Sequence, residues 1–125
     1  MSHAHLCRSL VPILLLAACA SPVPATGFAE PQAIERTIER YYESNASEEN
    51  QTCLTPYMDG LTEVAVVDEQ PDRVMLDVRY FYRDRLKDDG GNGIGRECTG
   101  FAARQFTLAK TDAGLQVVEM SPSRR

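Results

Sequence analysis

The chain has 125 residues, which suits one domain and leaves no room for a second. Its hydrophobic content of 43% and charged content of 25% are typical of globular proteins and exclude wholesale disorder. The formal net charge of −5 at pH 7 opposes a phosphate backbone, so we expect no nucleic-acid partner.

Residues 1–18 have the layout of an export signal. A short polar start contains one cation, Arg8, and an apolar run follows over residues 10–18. The run is about half the roughly 20 residues that a transmembrane helix needs, so cleavage is the better interpretation. An ordinary signal peptide with a chance cysteine near the cleavage point is the alternative.

The end of this run, Leu16-Ala17-Ala18-Cys19, resembles the lipobox of bacterial lipoproteins. The resemblance implies a lipoprotein signal peptide over 1–18, cleavage before Cys19 and acylation of Cys19. It also implies an anchor in the bacterial cell envelope, with the protein facing the periplasm. Ala20 stands where an Asp is associated with retention in the inner membrane, so the resemblance favours the outer membrane.

Cleavage before Cys19 would change the available chemistry. It would remove His3 and His5, and without His the mature chain cannot build a Ser-His-Asp or Cys-His arrangement. Only Cys53 and Cys98 would remain as free thiols, which in an oxidising envelope predicts a disulfide. The loop it closes has about 46 residues and is worth roughly 4 kcal/mol in the chain-entropy model. Two cysteines without His make a poor zinc site, and we expect neither a metal nor a cofactor.

The mature chain is predicted to begin with a flexible segment and to continue with a helix. Residues 19–30 are rich in Pro and small residues and lack periodicity, which predicts a lipidated flexible tether followed by a single domain over 31–125. From Pro31 to about Asn45, apolar residues recur at helical spacing, and Pro31 suits the first helical position. They are Ile34, Ile38, Tyr41 and Tyr42.

Strands fill the rest of the predicted domain. Residues 46–60 are expected to form a loop or a ragged second helical turn. Alternating or Val-rich patterns predict strands over 61–68, 73–84, 97–110 and 115–120. The predicted fold class is α+β: an N-terminal helix packed on a four-stranded antiparallel meander. Leu76 and Val78 should then face the helix at Ile34, Ile38 and Tyr41. The element order resembles cystatin-like and NTF2-like folds, in which a curved sheet grips a helix.

Two groups of residues are candidates for binding. Arg79, Arg83 and Arg104 can bind an anionic group or a partner if they converge, because guanidinium suits that chemistry. Cross-strand pairing with Glu63, Asp77 and Glu97 is the alternative. The aromatic residues are expected mainly in the core, with a pocket or an adhesive patch as the other interpretation. They are Tyr41, Tyr42, Tyr80, Phe81, Tyr82, Phe101 and Phe106.

A glycine-rich stretch over residues 88–95 contains oxygen ligands and a Gly-x-Gly-x-Gly string. Its spacing fits neither an EF-hand loop nor a dinucleotide-binding turn, so we interpret residues 85–96 as a flexible hairpin loop. No motif indicates catalysis. The sequence favours a non-enzymatic binding or interaction module, held at the membrane by lipid, whose partner is an envelope protein or a wall component. The alternatives are an NTF2-like small-molecule binder or enzyme, and an inhibitor of a wall-directed hydrolase that uses loop 85–96.

Overall fold

A computed structural model describes residues 21–84 and 98–125. These ranges contain a helix α1 (Pro31–Asn45) and four strands: β1 (Pro56–Gln70), β2 (Arg73–Asp84), β3 (Thr99–Thr111) and β4 (Gly114–Met120). The strands form one sheet in the order β1-β2-β3-β4, and every neighbouring pair is antiparallel. The predicted α+β class and the predicted meander are confirmed. The predicted signal peptide, Cys19 and the loop 85–96 lie outside the described ranges.

Helix α1 has the bounds that the sequence predicts. Pro31 occupies the start, where its missing N–H costs no hydrogen bond. The helix ends at Asn45 because Ala46 turns to an extended conformation after its N–H has bonded the Tyr42 carbonyl. Ile34, Ile38 and Tyr42 are buried, whereas Tyr41 packs at the margin of the core. The apolar stripe of α1 is therefore its contact with the sheet.

Strand β2 shows the period of two that separates the faces of the sheet. Its even-numbered residues are buried and its odd-numbered residues face away from the helix. Leu76 and Val78 are fully buried and share one core with Ile34 and Ile38, which confirms the predicted face. The core lies between α1 and this side of the sheet.

Strand β1 is longer than predicted, and the loop before it is correspondingly shorter. The sequence places a loop over 46–60 and a strand over 61–68, but β1 covers Pro56–Gln70. Its pairing with β2 contains three irregularities, between Met58 and Gly60, between Leu61 and Glu63, and between Val66 and Asp68. Each extra residue shifts the alternation, so the strand shows no sustained period of two in the sequence. Pro56 and Gly60 also read as loop residues, which hid the start of the strand.

The segment before the helix packs against the domain. Val23 and Phe28 are each 3% exposed and belong to the core. The ammonium of Lys110 lies 4.8 Å from the centre of the Phe28 ring. The folded part of the chain thus extends N-terminal to Pro31, where the sequence predicts a flexible tether. Two isolated apolar residues in a Pro-rich segment carry no periodic signal, so the pattern of the sequence does not reveal these contacts.

Candidate functional site

The three candidate arginines lie on two different faces of the sheet. Arg79 and Arg83 occupy odd positions of β2 and face away from α1. Arg104 pairs with Val78 in the register of β2 and β3, so it points into the helix side of the sheet. The structure therefore brings Arg79 and Arg83 to one face and leaves Arg104 apart from them.

Arg79 and Arg83 each pair with a carboxylate of β1. The Nε of Arg83 donates to Asp59 Oδ2 over 2.9 Å, and the Nε of Arg79 lies 3.7 Å from Glu63 Oε1. The four side chains are between 39% and 71% exposed. Ion pairs in such exposed positions contribute about tenths of a kcal/mol to stability. They therefore add charge to the surface but do little to stabilise the fold.

Arg104 forms a buried polar network with loop and strand residues. Its side chain is 6% exposed, and that of its ion-pair partner Glu48 is 2% exposed. Arg104 Nη2 lies 3.3 Å from Glu48 Oε2, and the same carboxylate oxygen accepts hydrogen bonds from the hydroxyls of Tyr42 at 2.7 Å and Tyr80 at 2.5 Å. Arg104 Nε donates to the Tyr80 hydroxyl over 2.8 Å. One carboxylate thus holds two tyrosines and a guanidinium together inside the domain.

Two backbone carbonyls complete the partners of Arg104. Its Nη2 donates to Ser47 O over 2.7 Å, and its Nη1 donates to Ser121 O over 2.9 Å. The carbonyls belong to the segment after α1 and to the C-terminal tail after β4. Arg104 therefore joins both segments to the middle of β3. The sequence alone did not distinguish this buried role from the exposed role of Arg79, although the even position of Arg104 in β3 is a signal once the register is known.

The surroundings of the network oppose ionisation of its tyrosines. Burial, followed by the hydrogen bond to Glu48, raises the pKa of Tyr42 and of Tyr80 well above the ordinary value. Burial and the hydrogen bond to Glu49 raise the pKa of Tyr82 to about 12. Burial alone would lower the pKa of Arg104, but its contacts with Tyr80 and Glu48 outweigh that effect and raise it. The tyrosines therefore act here as hydrogen-bond donors and stay protonated at neutral pH.

The network is bordered by a turn of unusual backbone geometry. Glu49, Asn50 and Gln51 have φ values of 55°, 57° and 71°, which L-residues other than Gly rarely adopt in succession. The turn is closed by two backbone hydrogen bonds between Glu48 and Cys53, of 3.0 and 3.1 Å. Cys53 is bonded to Cys98 with an S–S distance of 2.04 Å, which confirms the predicted disulfide. The disulfide and the bonds of Glu48 and Glu49 to tyrosines hold this turn in place.

A cleft of about 290 Å³ lies between this turn and the C-terminal tail, with Glu48 and Arg104 among its lining residues. Every buried side-chain nitrogen and oxygen in the described ranges already has a hydrogen-bond partner. The carboxylate of Glu49 and the two disulfide sulfurs lie within 4.8 Å of one another. Sulfurs that are bonded to each other are not the thiolates that metal ions bind, so this group does not make a metal site. The geometry of the network suits internal support better than chemistry on a ligand.

The face of the sheet opposite α1 carries an aromatic pair, of which one ring is exposed and the other is half-buried. Phe81 and Phe101 are cross-strand partners whose ring centres lie 4.9 Å apart, and Phe101 is 64% exposed. The guanidinium of Arg83 lies 5.5 Å from the centre of the Phe81 ring. The sequence pattern predicts that both rings lie mainly in the core, and this prediction is wrong for Phe101. The odd position of Phe81 in β2, shared with Arg79 and Arg83, is the signal that places it on the outer face.

Neither a family model, nor a curated protein, nor a solved structure shows significant similarity to this chain. In the part of the chain that the structure describes, no helix is long and apolar enough to span a bilayer.

Proposed function

We propose that this chain is a bacterial envelope lipoprotein, acylated at Cys19, whose domain is a non-enzymatic interaction module for a protein partner. The export segment and its lipobox-like end, Leu16-Ala17-Ala18-Cys19, support the anchor. The localisation that follows is a lipid-anchored position facing the periplasm, with the outer membrane favoured over the inner. The disulfide between Cys53 and Cys98 is consistent with an oxidising compartment.

The aromatic pair, with Phe101 exposed and Phe81 half-buried, is the observation that carries the interaction role. Aromatic side chains and Arg are enriched in protein interfaces, where a central apolar contact is surrounded by a polar rim. Phe81 and Phe101 form such a centre. Exposed ion pairs on the same face supply groups of both signs around it: Arg79 with Glu63, Arg83 with Asp59, and Arg124 with Asp77. A surface of mixed charge with an aromatic centre suits a protein better than a uniformly charged polymer.

The other candidate site argues against catalysis as the main role. Its tyrosine hydroxyls and guanidinium are directed at Glu48 and at backbone carbonyls, and they keep those partners inside the domain. A general acid or base must reach the proton of a bound substrate, within about 3 Å or through one water. The NTF2-like enzyme alternative would require these internal bonds to open.

Site-specific photocrosslinking in intact cells tests the interaction face. A photoreactive phenylalanine analogue replaces Phe101 in one strain and Val67, which is 50% exposed on β1, in a control strain. We expect a discrete protein adduct from position 101 and none from position 67, and Phe81→Ser combined with the probe at 101 should weaken it. Equal adducts from both positions, or an adduct to wall glycan alone, would contradict the proposed protein partner.

The braced turn over 49–51 favours one second candidate, an inhibitor of a wall-directed hydrolase. A turn with a fixed, unusual backbone loses little freedom when it enters a cleft of another protein. Asn50 and Gln51 are exposed at its tip. A muramidase assay with the purified domain tests this idea: inhibition that Asn50→Asp or Gln51→Glu reduces would support it. Full muramidase activity at saturating domain would contradict it for that enzyme class.

A further inference from the structure

We propose that residues 21–30, here called the strap, fix the orientation of the domain on the membrane. In this arrangement the helix side of the domain lies against the bilayer, and the face with Phe81 and Phe101 points away from it. The proposal deepens the proposed function, because it rests on acylation of Cys19. It assigns a lipid surface as the partner of the helix side.

The strap is attached to the domain at several points along its length. Ser21 Oγ donates to Glu35 Oε1 of α1 over 2.8 Å, and Val23 is buried in the core. Near its other end Phe28 is buried as well, under the ammonium of Lys110. Two local bonds of 3.1 Å, from the Val23 N–H to Ser21 Oγ and from the Phe28 N–H to Thr26 Oγ1, shape its turns. The strap thus belongs to the folded domain from its first described residue.

Little chain is left between the strap and the acylated residue. Only Ala20 separates Cys19 from Ser21, and two extended residues span at most about 7 Å. A flexible tether over residues 19–30 would instead have a root-mean-square length of about 20 Å and would let the domain rotate freely. The attached strap removes that freedom and keeps Ser21 close to the headgroups.

The position of Ser21 determines which side meets the bilayer. Its partner Glu35 lies early in α1, the layer that covers one side of the sheet. Packed layers are separated by about 10 Å, so the outer face of the sheet lies beyond the reach of the two residues between lipid and strap. The Phe81–Phe101 pair is therefore turned toward the space where an envelope protein would approach.

Covalent lipid, and not charge, would hold the domain in this orientation. Glu35 and Glu69 flank the strap, with Glu69 Oε2 3.8 Å from where a Cβ would lie on Gly27. Carboxylates in this position do not attract the anionic headgroups of a bacterial membrane. Burial of several acyl chains in the bilayer is sufficient for a stable anchor, whereas a single chain binds only marginally.

Quenching by lipid-borne spin labels tests this geometry. The acylated protein is purified from cells and placed in phosphatidylcholine vesicles that contain headgroup-spin-labelled phosphatidylcholine. A fluorophore is attached to Arg36→Cys on the exposed side of α1 or, as the matched control, to Arg79→Cys on the outer face of the sheet. Cys19 is blocked by lipid and Cys53 and Cys98 by their disulfide, so each variant has one reactive thiol. We expect several-fold stronger quenching at position 36 than at position 79.

A flexible insert provides the internal control. Ten Gly and Ser residues between Ala20 and Ser21 should bring the two quenching values together, because the domain can then rotate. Equal quenching at positions 36 and 79 without the insert, or stronger quenching at 79, would overturn the strap proposal while leaving the anchor intact. Mass spectrometry of the same sample reports acylation separately. An unacylated Cys19 would contradict the proposed function and, with it, this orientation.

Discussion

Replacing Arg104 by Met should strongly destabilise the domain, because it leaves a carboxylate buried without its cation. The change removes hydrogen bonds to Tyr80, Ser47, Ser121 and Glu48, and the Glu48 side chain is only 2% exposed. Removing one partner of a buried ion pair typically costs about 3–5 kcal/mol. A domain of about 100 residues has a total stability of roughly 5–15 kcal/mol, so the variant should lose a large share of it. Urea unfolding with the disulfide intact measures the loss.

Two further variants isolate the cause. Glu48→Gln combined with Arg104→Met removes the uncompensated charge, and the Gln carbonyl can still accept from Tyr42 and Tyr80. The double variant should therefore be more stable than Arg104→Met by at least about 1 kcal/mol, the coupling expected of residues in one network. Arg79→Met, whose side chain is 55% exposed, should cost below about 0.5 kcal/mol. Equal losses from Arg104→Met and Arg79→Met would refute the buried network.

Three other measurements test the core, the turn and the titration of the network. Leu76→Ala should cost about 2–5 kcal/mol through lost burial and a cavity, whereas Arg79→Ala on the outer face should cost under about 0.5 kcal/mol; equal urea midpoints for the two would mean the faces are assigned wrongly. Gln51→Gly should stabilise the domain by about 1 kcal/mol by relieving a φ of 71°, and the same change at exposed Gln116 of β4 should destabilise it; a loss at both positions would count against backbone strain at the turn. The pKa of Tyr82, raised to about 12, implies stability that is fully present below the unfolded pKa of about 10 and lost as the pH rises toward 12; a free energy of unfolding that stays constant from pH 9 to 12 would contradict this.

The elements with a regular pattern could be predicted from the sequence. The apolar stripe was sufficient for the bounds of α1, and the alternation of β2 was sufficient for the burial of Leu76 and Val78. The disulfide followed from counting the cysteines that remain after cleavage. Each of these features follows from a hydrophobic period in the sequence or from the number of remaining cysteines, so no knowledge of tertiary contacts was needed.

The features that depend on tertiary contacts could not be predicted in this way. The burial of Val23 and Phe28 depends on a surface that exists only when helix and sheet have met. The role of Arg104 depends on the register of β3 against β2. A shift of one residue would move every side chain of the strand to the other face of the sheet. Glu48 gave no signal at all, because a lone acid in a polar stretch normally indicates solvent and not the centre of a buried network.

The state of Cys19 in the exported protein tests the central claim most directly. Intact-mass and acyl-labelling measurements on protein purified from the envelope should show a chain that begins at Cys19 and carries acyl groups there. In a Cys19→Ser strain, the same measurements should show the uncleaved precursor without label. A mature chain that begins elsewhere, or acyl labelling that is unchanged in the Cys19→Ser strain, would contradict the account.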